Sequence, residues 1–177
     1  MPDLDTFRQQ KDHFFAHSPH SPLMPEQRES FTGLTYYPEN PDLCFEISLD
    51  LFDEQDVIEM QTTGGSVQSF TRWGRVHFEV DGEACALTLY AAIGAGGFFL
   101  PFKDATSGDE TYGGGRYINV EPLPGDRYLI DFNKAYNPYC AYNAAWSCTI
   151  PPVENHLSVA IEAGEKLPDE AWAMHTH

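Results

Sequence analysis

The chain has 177 residues, enough for one domain able to bury roughly 70% of the surface its unfolded form exposes. Ten Lys and Arg against 27 Asp and Glu leave a formal charge of -17, a field that repels nucleic-acid phosphates and anionic membranes, so both are excluded as expected partners. A salt-adapted cytoplasm selects such acidity, although an ordinary acidic soluble protein is the plainer reading.

Twelve Phe and nine Tyr favour pleated, half-buried surfaces over helices. No apolar run approaches the ~20 residues of a membrane helix, and "MPDLDTFRQQKD" lacks the basic-then-apolar layout of a secretory leader. With Met1 as the natural start, the expectation is a cytoplasmic protein.

In chain order, Leu4, Phe7, Phe14 and Phe15 recur near a helical period behind Asp3 and Asp5, which predicts a helix over 3–17. "SPHSPLMPEQ" then carries three prolines in ten residues and reads as an irregular surface connection. From Gly33 the period becomes two, most plainly in "LCFEISLDLF", where Leu43, Phe45, Ile47, Leu49 and Leu51 share one strand face. "VIEMQTT", "SVQSFTRW", "RVHFEV" and "EACALTLYAA" follow, with Gly64-Gly65, Gly74 and Asp81-Gly82 as expected turns.

"FFLPF" ends this meander. After a polar loop, "RYINVEPLPGDRYLIDF" reads as a hairpin turning at Pro124-Gly125. Residues 133–155 show no period yet are aromatic, which points to a functional loop rather than disorder. "HLSVAI" predicts a last strand, and 164–177 a polar tail. The expected fold is mainly β in a single domain, residues 1–177: an antiparallel β-barrel or β-sandwich spanning 33–161, with one N-terminal α-helix covering an end or face.

The three glycines of "TYGGGRY" precede a strand rather than a helix, which excludes a phosphate-cradling nucleotide loop. They either form a turn or bulge at the strand entrance or clear space for a small ligand, with Tyr112 and Arg116 at its rim.

"LPFKDATSGDETYGGGRY", "DFNKAYNPYCAY", Cys148, "PPVENHL" and "AGEK" resemble the bacterial and archaeal family catalogued as domain of unknown function 1684, over nearly the whole chain. The resemblance implies that Asp104, Thr106, Thr111, Tyr112, Arg116, Asp131, Asn133, Asn137, Cys140, Tyr142 and Cys148 form one site, without implying an activity or a cofactor. One departure is "SCTIPP", where many relatives place a proline directly after the second cysteine.

Seven residues separate Cys140 from Cys148, a poor match to structural zinc pairs. The pair reads as buried thiols, with a disulfide or redox pair as the alternative. Cys85 reads as core. His13 and His17 could share a helix face, but no third ligand is identifiable and no metal is expected. Asp131 and Glu154 could pair as carboxylates, and Cys140 could act as a nucleophile. Asn133 and Asn137 also suit loop caps.

The leading expectation is a small-ligand binding or enzymatic pocket at one end of the barrel or sandwich, built from loops 103–117 and 133–155. Arg116 would hold a small anionic molecule; Tyr112, Asn133, Asn137 and Tyr142 would shape the pocket, with Asp131 and Cys140 as catalytic candidates. The rival makes these residues architectural and assigns function to a protein partner.

Overall fold

Asp3 starts the first helix by accepting the Thr6 N–H at 2.8 Å, and α1 runs Leu4–His17, as the sequence predicts. The computed structural model describes residues 3–93, 97–143 and 146–168. The proline-rich connection is more ordered than expected. Pro25 occupies the first turn of a short helix α2 (Pro25–Ser30), where its missing N–H costs nothing. Gln27 anchors α2 by accepting the Met24 N–H and donating to the Tyr142 carbonyl.

Eight strands follow: β1 (Cys44–Ser48), β2 (Asp50–Leu51), β3 (Val57–Gln61), β4 (Val67–Val80), β5 (Glu83–Ala92), β6 (Phe98–Phe102), β7 (Arg116–Leu123) and β8 (Arg127–Asp131). Their order is β1-β8-β7-β6-β5-β4-β2, with β3 also on β4, and every pairing is antiparallel. The hairpin turns fall where expected: Asp81 and Gly82 lie at φ 51° and 83°, Gly125 and Asp126 at 78° and 57°.

Gly74 is not the turn the sequence suggested. β4 runs straight through it with a bulge between Arg72 and Gly74. The glycine is needed there because a Cβ would lie 2.7 Å from the Asp50 carbonyl. That close approach closes the sheet: residues 44–48 pair with β8, and Asp50 and Leu51 pair with Arg75 and Gly74 of β4. The architecture is therefore a nearly closed barrel rather than a sandwich.

Alternation sends Val76, Leu87, Leu89, Leu100, Phe102, Ile118 and Ile130 into an apolar interior in which each is essentially inaccessible. The interior is filled by side chains, as expected of a small barrel. Phe132, Ala135, Ile161 and Ala163 join this interior, and the strap that follows Ala135 runs beside β7 through the Tyr117–Tyr136 bridge.

The expected strand "HLSVAI" is absent as a ladder. It contributes one parallel bridge, Lys103 with His156, and the Ala105 N–H bonds to the Val159 carbonyl. Nor does the expected tail begin at Gly164: Ile161, Ala163 and Glu165 are buried. α1 packs on this strap through Phe15 against Tyr142 and Tyr139, rather than covering the barrel directly.

Candidate functional site

On the outer face of β4 to β7, Phe70, Tyr90, Phe99 and Tyr117 alternate with the core residues. Phe70 and Phe99 stack at 5.4 Å, and Tyr117 meets the edge of Phe99 at 4.7 Å. The strap passes over this face, tied by the Tyr117–Tyr136 and Thr62–Thr149 bridges and by the Tyr117 hydroxyl on the Thr149 carbonyl. Between wall, strap and α1 lies a cleft of about 990 Å³.

Phe70, Phe99 and Tyr117 floor the cleft, while Tyr136, Tyr139 and Trp146 wall it. Gln68 and Asn119 supply polar edges. The Gln68 amide oxygen accepts from Thr149 and that of Asn119 from the Tyr136 hydroxyl. Burial holds the phenols neutral, with Tyr136 pushed up to about 12 by burial, Tyr139 and Glu165.

Lys11 is the one charged residue among those lining the cleft. Its ammonium sits 4.8 Å over the Tyr136 ring and is ion-paired with Glu165, whose side chain is 1% exposed. Glu165 also accepts the Tyr142 hydroxyl at 2.6 Å and the Asn137 N–H at 3.0 Å. A buried carboxylate held by an ammonium and two hydrogen bonds is satisfied, so the charge on Lys11 is already matched.

The residues singled out from sequence lie elsewhere. Arg116, expected at a rim, is fully buried. Its Nη1 donates to the carbonyls of Ala163 and Glu165, and its Nη2 to Asp104 at 3.4 Å and the Ile161 carbonyl at 2.8 Å. Asp104 in turn accepts from Thr106 and from the Ile161 N–H. The guanidinium thus fastens the C-terminal stretch 161–165.

Tyr112 is buried with its hydroxyl 3.4 Å from Cys140 Sγ. Asp131 and Asn133 form a separate cluster: the carboxylate caps Asn133, whose amide pairs with both backbone groups of Asn40. Asn137 and Tyr142 belong to the Glu165 network. None of Tyr112, Arg116, Asp131, Asn133, Asn137, Cys140 and Tyr142 lines the cleft, although Tyr117, Tyr136, Pro138, Tyr139 and Cys148 beside them do.

Gly114 and Gly115 of "TYGGGRY" make room for protein. A Cβ on Gly114 would lie 2.4 Å from the Tyr112 ring, and one on Gly115, at φ 92°, 2.6 Å from the Phe102 carbonyl. Glycine is required where backbone packs this closely at positive φ.

Asp131 and Glu154 do not meet in a carboxylate pair. Glu154 instead takes a bidentate ion pair from Arg72 at 3.0 to 3.2 Å, while Asp131 stays with Asn133. Burial raises the Glu154 carboxyl, but hydrogen bonds from Arg72 and Thr88 outweigh it and hold the group below its ordinary 4.5. A depressed carboxyl contributes stability that is present above the unfolded value and is lost as pH falls through the folded one. Acid titration of unfolding should therefore show a shallower loss below about pH 4.5 in Glu154→Gln than in wild type; parallel curves would refute this.

The His13 and His17 rings lie 4.7 Å apart, tilted by 50°; among the described residues no group of three His, Cys, Asp or Glu is placed to hold a metal. His175 and His177 lie outside the described residues.

A nearly closed antiparallel barrel wrapped by its own C-terminal strap, with an aromatic cleft between the two, defines the class of protein. The chain belongs to the family described as protein of unknown function (DUF1684), whose pattern matches residues 29–166. It is also similar to the solution NMR structure of an uncharacterised protein from Haloarcula marismortui, at 36% identity and a TM-score of 0.70 over 92% of this chain and 91% of that one. No curated protein matches the chain. Among the described residues no helix is long and apolar enough to cross a membrane.

Proposed function

We propose that the protein binds a small, neutral, largely apolar molecule in the cleft between barrel wall and strap. The observation that carries this reading is a cleft of about 990 Å³ floored by Phe70, Phe99 and Tyr117 and walled by Tyr136, Tyr139 and Trp146. Small-molecule sites have this character: concave, mostly apolar, with a few polar groups that set orientation. The amide nitrogens of Gln68 and Asn119 make no hydrogen bond among the described residues, so a carbonyl or ether oxygen on the ligand suits them.

An anionic ligand, the expectation from sequence, is less suited. Arg116 already donates to Asp104 and three carbonyls, and Lys11 is matched by Glu165. A net charge of -17 adds long-range repulsion. The rival reading of an architectural role describes Tyr112, Arg116, Asn133 and Asn137 well, because each serves protein groups. It leaves the cleft unexplained.

Titration with the neutral fluorophore N-phenyl-1-naphthylamine should give saturable binding. Trp146→Ala should weaken it about tenfold, the equivalent of ~1.4 kcal/mol, without unfolding the chain, since Trp146 is 41% exposed. A naphthoate of similar size should bind no more tightly than its neutral analogue. Absence of saturable binding, or an unaffected Trp146→Ala, would sink the proposal.

A further inference from the structure

The cleft exposes half-buried Cys148, and behind it lies Cys140, 1% exposed. All four cysteines are thiols in this structure. The Cys140 N–H donates to Cys148 Sγ at 3.3 Å, and the Tyr112 hydroxyl and Cys140 Sγ lie 3.4 Å apart. The other two cysteines have no such arrangement: Cys44 is exposed on β1 and Cys85 lies in the barrel core.

We propose that Cys140 and Cys148 are a reversible dithiol–disulfide couple, oxidised through Cys148 by a low-molecular-weight disulfide that enters from the cleft. In the first step the Cys148 thiolate attacks one sulfur of the small disulfide, forming a mixed disulfide and releasing one small thiolate. In the second, the Cys140 thiolate attacks Cys148 Sγ and displaces the other small thiolate. Each protein thiol gives its proton to solvent or to a departing thiolate. The protein loses two electrons and two protons, and the small disulfide becomes two thiols.

The division of labour follows from access: only the cysteine at the cleft meets the reagent, and the buried one beside it resolves the intermediate. The Cys140 N–H on Cys148 Sγ favours the attacking thiolate. The Cys140 thiol beside it and burial outweigh that backbone contact and push the Cys148 thiol far up, so it is protonated at neutral pH and the exchange is slow there. Oxidation would tie together the two ends of the stretch carrying Trp146, which walls the cleft. The couple does not depend on which molecule the cleft holds.

The full chain is incubated with 2-hydroxyethyl disulfide at several pH values and mapped by mass spectrometry of alkylated peptides. Wild type should join Cys140 to Cys148, reversibly with dithiothreitol, at a rate rising roughly tenfold per pH unit between about pH 7 and 9. Cys140→Ala should stop at a mixed disulfide on Cys148, and Cys148→Ala should leave Cys140 unmodified. The wild-type map decides even if either variant folds poorly. Persistence of both thiols in wild type, or a Cys140 in Cys148→Ala that reacts as fast as Cys148 does in Cys140→Ala, would overturn the proposal.

Discussion

Arg116→Ala should lower the unfolding free energy by about 3–5 kcal/mol and the melting midpoint by roughly 10 °C for a chain of this length. Both side chains of the Arg116–Asp104 pair are 0% exposed. Removing the guanidinium leaves a buried carboxylate without its counter-charge and strips donors from the carbonyls of Ile161, Ala163 and Glu165. A lost partner for a buried charge costs far more than the net value of the pair, because the orphaned group cannot regain water. Ligand binding in the cleft should survive at temperatures where the variant is folded, since Arg116 does not line it. Differential scanning calorimetry checks the first statement and probe titration the second; a variant within about 1 kcal/mol of wild type would refute the tether.

Asn155→Ala should cost about 3 kcal/mol or more. Asn155 is 0% exposed, and its side chain replaces part of a sheet ladder. Among the described residues the ladder of β5 and β6 comprises Tyr90–Phe99 and Ala91–Phe98. Where they diverge, the Asn155 amide accepts the Thr88 N–H at 2.8 Å and donates to the carbonyls of Thr88 and Pro101 at 2.9 and 2.7 Å. Alanine would leave these backbone groups buried without partners, each costing on the order of 1–3 kcal/mol. Urea unfolding of Asn155→Ala beside the exposed Asn119→Ala supplies the contrast. Equal midpoints would show that the strap does not depend on this bridge.

Asn155 was the residue that sequence reasoning passed over. It stands in "PPVENHL", where an asparagine reads as a loop residue, and its partner Thr88 is 67 positions away. The same distance problem misplaced Arg116: its neighbours in sequence are glycines and a strand, suggesting a rim, but the three carbonyls it donates to lie 45 to 49 residues downstream. The signal that did exist was the family resemblance, which selected Asp104, Arg116 and Cys140 without distinguishing a binding role from a structural one. The cleft residues Phe70, Phe99 and Tyr117 look in sequence like ordinary half-buried strand aromatics. Nothing local separates them from Phe78 or Phe102 in the core.

What the order of amino acids settled is whatever depends on neighbours within a few residues. Asp3 caps α1, period-two alternation lays out the strands, and Asp81-Gly82 and Pro124-Gly125 turn the hairpins, because caps, pleats and positive φ are local properties. Folding in three dimensions determined the rest. Gly74 became a passage for Asp50 instead of a turn, the barrel closed, and the stretch 161–165 was fastened by Arg116 rather than opening into a polar tail at Gly164. These outcomes arise from close approach and from satisfying buried polar groups across tens of residues, which no short window of sequence contains.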